Sequence, residues 1–110
     1  MTTRTFQILL ALAEGPLHGY GIKQRVADRT DGEVRLGSGT LYETVHRLLE
    51  QGSIQEVPPA EDEPAPGGPA RRYYDLTREG RVALRDELRR MEEVVAYARG
   101  RSLLPERGGA

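Results

Sequence analysis

Apolar residues recur along the chain at two spacings: three to four residues apart in four segments, and alternating with polar residues in three shorter ones. Phe6, Leu9, Leu10 and Ala13 predict a first helix over Thr5–Glu14, stopped by Gly15-Pro16. Ile22 and Val26 predict a second, over Lys23–Thr30, that packs on the first. Just before it stand Gly19 and Gly21, and a glycine costs about 1 kcal/mol relative to alanine inside a helix. Their expected role is close approach of the backbone to a neighbouring helix or to a ligand.

The third helical segment, Gly37–Gly52, is the most sharply patterned. At about 100° per residue, Leu41, Thr44, Val45, Leu48 and Leu49 fall in one stripe, while Glu43, His46, Arg47 and Glu50 lie opposite. Gly-Ser-Gly-Thr at 37–40 offers hydroxyls to cap its start, and Gly52 can adopt the left-handed conformation that closes its end. The alternating segments are Glu33–Leu36, Ser53–Val57 and Arg71–Leu76, each read as a strand. Pro58–Ala70 is too rich in Pro and Gly for regular structure and predicts a mobile hairpin tip.

The last helix is expected from Thr77, an N-cap, to about Arg99, a length of roughly 33 Å that a core this small does not cover. Leu84, Leu88, Met91, Val95 and Ala98 follow the four-three spacing of a coiled-coil seam, and Asp86 precedes Arg90 by four residues on the outside. The predicted architecture is mainly α with a small β-hairpin. It comprises a winged helix-turn-helix over residues 1–76, with the wing tip at 58–70, a C-terminal dimerisation helix over 77–99 and a flexible tail over 100–110.

Composition sharpens this in three ways. A chain of 110 residues with one Phe and no Trp has a modest aliphatic core, which favours a partner. The absence of Cys rules out disulfides and thiolate metal sites, and no apolar run is long enough to span a bilayer, so a cytoplasmic protein with no membrane contact is expected. The formal charge of −1 argues mildly against nucleic acid, but Glu61, Asp62 and Glu63 sit in the Pro-rich segment. Without them, 16 basic residues face 14 acidic ones. Only Lys23 among the basic residues is Lys, and Arg suits bidentate contact with phosphate.

The start of the third helix carries small hydroxyls and Tyr42 rather than a run of long charged side chains. This suits close approach to a phosphate, which free N–H groups and the helix dipole also favour. The DNA-contact set expected from position is Ser38, Thr40, Tyr42, His46 and Arg47 on this helix, Lys23 on the helix before it, and Arg71 and Arg72 at the wing base. Catalysis has little footing, since His18 and His46 lie on different elements with no acid at metal-ligand spacing, and no metal or cofactor is expected. The rival readings are a winged-helix module for protein contacts and a small-molecule sensor with an effector pocket at the dimer seam.

HGYGI at His18–Ile22, GTLY at Gly39–Tyr42, LLEQGSI at Leu48–Ile54 and RRYYDLTREG at Arg71–Gly80 resemble, in order and spacing, the PadR family of bacterial transcriptional regulators. The resemblance implies a winged helix-turn-helix, a dimerising C-terminal helix, an operator DNA partner and repression of a nearby gene, often one for detoxification or efflux. It matches Ser38, Thr40 and Tyr42 to the DNA-facing start of the recognition helix, and Arg72 to the wing base. The sequence departs from the family where His46 replaces a frequent basic residue. The wing tip is also longer and more acidic than in many members, so the wing is expected to grip DNA through its base.

Overall fold

The computed structural model describes residues 1–59 and 72–105. Helix α1 spans Thr3–Ala11, with the Thr2 hydroxyl accepting from the Thr5 N–H. It buries Ile8, Leu9 and Ala11, then tightens into a 3₁₀ turn at Leu12–Glu14 and stops at Gly15, whose φ of 138° suits glycine.

Helix α2 spans Gly19–Arg29, four residues longer at its start than the apolar spacing predicts. The cause is His18, whose Nδ1 accepts the Gly21 N–H at 2.9 Å and so caps the helix. Gly19 and Gly21 therefore occupy its first turn. At its other end, the Thr30 hydroxyl donates to the Val26 carbonyl at 2.8 Å and accepts the Val34 N–H at 3.0 Å. Asp31 and Gly32, at φ 52° and 80°, turn the chain toward the third helix.

The strand expected at Glu33–Leu36 is not formed. Its alternation is real, since Val34 and Leu36 turn toward the core while Glu33 and Arg35 are exposed, but the backbone of Val34 is held by Thr30 rather than by a neighbouring strand. The third strand is instead Leu17–His18 (β1). With Ile54–Val57 (β2) and Tyr73–Leu76 (β3) it makes an antiparallel sheet in the order β1-β3-β2, with Leu17 opposite Tyr74 and Ile54 opposite Leu76. The wing is thus joined to the chain just ahead of α2. Of the predicted wing tip, residues 60–70 lie outside the described residues, as do Arg71 and the tail beyond Pro105.

Helix α3, Ser38–Glu50, lays Leu41, Val45 and Leu48 on Ile8, Leu12, Ile22 and Val26, and Gly52 closes it at φ 76°. Helix α4, Arg78–Gly100, is capped by Thr77, whose hydroxyl accepts the Gly80 N–H at 3.0 Å and donates to the Gly52 carbonyl at 2.6 Å. Its first turns rest on the core; the rest does not. Leu84 is 4% exposed, which removes it from the predicted dimer seam, because the domain's own core already covers it. Beyond it Leu88, Met91, Val94 and Tyr97 are exposed, and Val95 and Ala98 are half-buried. Arg90 bonds Glu87 one turn earlier, at 2.6 Å, and not Asp86 as the spacing predicts. Among the described residues no helix is long and apolar enough to cross a membrane.

Candidate nucleic-acid interface

The predicted stripe on α3 faces inward: Leu41, Thr44, Val45 and Leu48 are buried and Leu49 is half-buried. Thr44 is accommodated there because its hydroxyl donates to the Thr40 carbonyl at 2.9 Å. This places Tyr42, Glu43, His46, Arg47 and Glu50 on the outer side.

The start of α3 departs from expectation. Its N-cap is Gly37, with no side-chain cap, so neither Ser38 nor Thr40 closes its first turn. Ser38 is exposed, and its hydroxyl oxygen accepts from the Lys23 ammonium on α2 at 3.2 Å. A first turn with uncapped N–H groups, two hydroxyls and an ammonium beside it is suited to an anion.

Tyr42 leans across the gap between α3 and α2. Its hydroxyl oxygen lies where a Cβ on Gly19 would be 2.6 Å away, and two of its ring carbons at 3.0 and 3.1 Å. The side chain is nonetheless 52% exposed, so the ring packs on the first turn of α2 while its edge remains open to solvent.

Tyr74 on β3 completes the junction. Burial pushes its phenol up from the ordinary 10.0; the Glu56 carboxylate adds to this, Arg72 opposes it, and Tyr42 contributes a further rise. Tyr74 pairs with Leu17 and Tyr73 with His18, the residue that caps α2. The wing strand β3 and Tyr42 of α3 therefore both meet the chain at the start of α2.

The predicted contact residues divide accordingly. Ser38 meets Lys23, Tyr42 meets the start of α2, Thr40 is half-buried in the same first turn and Arg72 directly precedes β3, whereas His46 and Arg47 lie farther along α3. There His46 pairs with Glu50 at 3.0 Å, and Glu43 shares the exposed side. The close approach expected of Gly19 is found, and the neighbour is Tyr42 of α3. Sequence reasoning missed Tyr74 as part of the junction, since nothing local marks it. No group of three or more potential metal ligands occurs among the described residues.

The profile of the PadR-like family of transcriptional regulators matches residues 8–86. Transcriptional regulator Rv3488 of Mycobacterium tuberculosis is 33% identical over 93 residues, covering 84% of this chain and 79% of that protein. A PadR family transcription regulator from Clostridium difficile superposes with a TM-score of 0.72 at 24% identity, over 90% of this chain and 97% of that one. Bacillus subtilis PadR, solved in complex with operator DNA, gives a TM-score of 0.66 at 23% identity, over 79% of this chain and 47% of that one. The structural likenesses establish the winged-helix fold. By its family profile and by this sequence relative, the chain belongs to the PadR-like family, whose members are transcriptional regulators and not enzymes.

Proposed function

We propose that this protein binds duplex DNA as a two-fold dimer on a roughly palindromic operator and represses a nearby gene, such as one for detoxification or efflux. The observation that carries this reading is the exposed first turn of α3, where the Ser38 hydroxyl meets Lys23 and Tyr42 reaches the start of α2, with Thr40 in the same turn and Arg72 at the head of the wing strand β3. Hydroxyls and cations at a helix start are suited to backbone phosphates, and the same turn brings short side chains to base edges. Bacillus subtilis PadR, which has this fold, was solved with operator DNA, and that supports the same use here.

Two units divide the work in this reading. Residues 1–76 read DNA, and the helix over 77–99 joins two copies through Leu88, Met91, Val95 and Ala98. One recognition helix per chain then implies half-sites about one helical turn, roughly 34 Å, apart. An apolar crevice at the seam would be the place for a small effector, and the cytoplasm the place of action. Capture of genomic fragments by the purified protein, followed by footprinting and native mass measurement, tests the reading. A two-fold footprint with two chains per duplex is expected. Protection of a single half-site by one chain, or enrichment of no fragment, overturns it.

A further inference from the structure

Gly19 opens α2 and is buried, yet it makes no side-chain contribution of its own. What occupies the space its Cβ would fill is Tyr42, from the first turns of α3. The hydroxyl oxygen falls 2.6 Å from that position, closer than a real Cβ tolerates, and two ring carbons follow at 3.0 and 3.1 Å, so the ring has to shift to admit a methyl group. Space is therefore the quantity Gly19 supplies, and it supplies it to one residue.

Backbone conformation gives no separate reason for glycine here. Gly19 is not among the residues of positive φ, whereas Gly15, Gly32 and Gly52 are. At the first helical position alanine is tolerated by the backbone and favoured by propensity. A residue that costs helix stability and brings no conformational benefit is accounted for by what lies against it.

The consequence concerns where the Tyr42 hydroxyl points. The ring is half open to solvent, so it has no enclosing pocket to fix it. The contact the ring makes across the α2–α3 gap is with the Gly19 backbone, at the start of the helix that also carries Lys23. We propose that Gly19 is a positioning residue for DNA binding, whose missing side chain sets the Tyr42 hydroxyl at the junction of α2, α3 and the wing. Any Cβ at this position swings the tyrosine outward and takes its hydroxyl away from the phosphate it would meet. This rests on the DNA reading above, and it adds a residue that itself need touch no DNA.

A double-mutant cycle in the full-length chain tests it, with Gly19→Ala, Tyr42→Ala and the double variant titrated against a mixed-sequence duplex of about 40 base pairs at low salt. Gly19→Ala is expected to lower affinity about tenfold in the wild-type background and by less than about twofold when Tyr42 is already alanine. Thermal melting of the same four proteins gives a second readout. If the new methyl destabilises the domain through the tyrosine ring, the double variant regains the melting temperature of Tyr42→Ala alone. Equal losses of affinity in both backgrounds, or wild-type affinity for Gly19→Ala, overturn the positioning role while leaving DNA binding intact. A wild-type protein that binds no duplex overturns the DNA reading, and this inference with it.

Discussion

Gly80, in the first turn of α4, lies so close to Ser53, in the turn after α3, that a Cβ at Gly80 would overlap the Ser53 carbonyl oxygen. The same carbonyl accepts the Thr77 N–H at 3.1 Å, and the Thr77 hydroxyl reaches the Gly52 carbonyl. The long helix is therefore seated backbone to backbone on the end of the recognition helix. Whatever orients α4 also orients α3, which matters for a protein expected to present two recognition helices at a set spacing.

Gly80→Ala should break this seat. Backbone cannot move aside as a flexible side chain can, so the expected cost is about 2 to 3 kcal/mol, with a clear drop in melting temperature. An unchanged melting temperature would mean that α4 can dock in another way.

Tyr42→Phe removes only a hydroxyl, leaving the ring on Gly19. Affinity for operator and random duplexes should fall alike, by about 1 to 2 kcal/mol, with the melting temperature retained. Titrations of both duplexes are the check, and no change in either would reduce Tyr42 to a packing residue.

Lys23→Ala removes the ammonium beside Ser38. If it meets a phosphate, the slope of log affinity against log salt should become shallower by about one, uniformly across sequences. A variant with the wild-type slope would confine Lys23 to holding the start of α3.

Leu88→Asp places a carboxylate in the middle of the exposed apolar side of α4, where Leu88 is 41% exposed in the single chain. Burial of that charge against a partner costs several kcal/mol at each of two symmetric positions. Monomers are expected by sedimentation at micromolar concentration. DNA affinity should collapse as well, since one half-site makes too few phosphate contacts. A dimeric variant refutes the seam, and a monomeric one with full affinity refutes the need for two recognition helices.

Tyr74 predicts how the junction responds to base. Its phenol is raised above 10.0 in the folded chain, mainly by burial, so the unfolded chain ionises first. The stabilisation is complete below about pH 10 and is lost as pH rises through the folded value, the unfolded state then holding fewer protons. Denaturant midpoints measured from pH 9 upward should fall, and less steeply for Tyr74→Phe. Equal slopes for the two proteins would show that Tyr74 does not contribute.

Much of this molecule is written locally in its sequence. The inward stripe of α3, the stop at Gly15, the left-handed Gly52, the Thr77 cap and the β2–β3 strands each depend on residues within a few positions of one another. A periodicity or a turn requirement carries that information without reference to the rest of the chain. The ordered motifs from HGYGI to RRYYDLTREG likewise marked the family.

Other relationships between distant segments required the tertiary structure. Leu17–His18 is too short to read as a strand, and only β3, more than fifty residues later, makes it one. Glu33–Leu36 has strand-like alternation, but burial on one side creates that pattern whether or not a ladder partner exists. Leu84 and Leu88 are the same residue type, four apart in one seam; the domain's core covers the first and ends before the second. Apolar spacing reports which side of a helix is to be buried, while the shape of the folded chain decides what buries it. The space beside Gly19 belongs to the same class, for a missing side chain acquires its meaning only from the ring that fills its place.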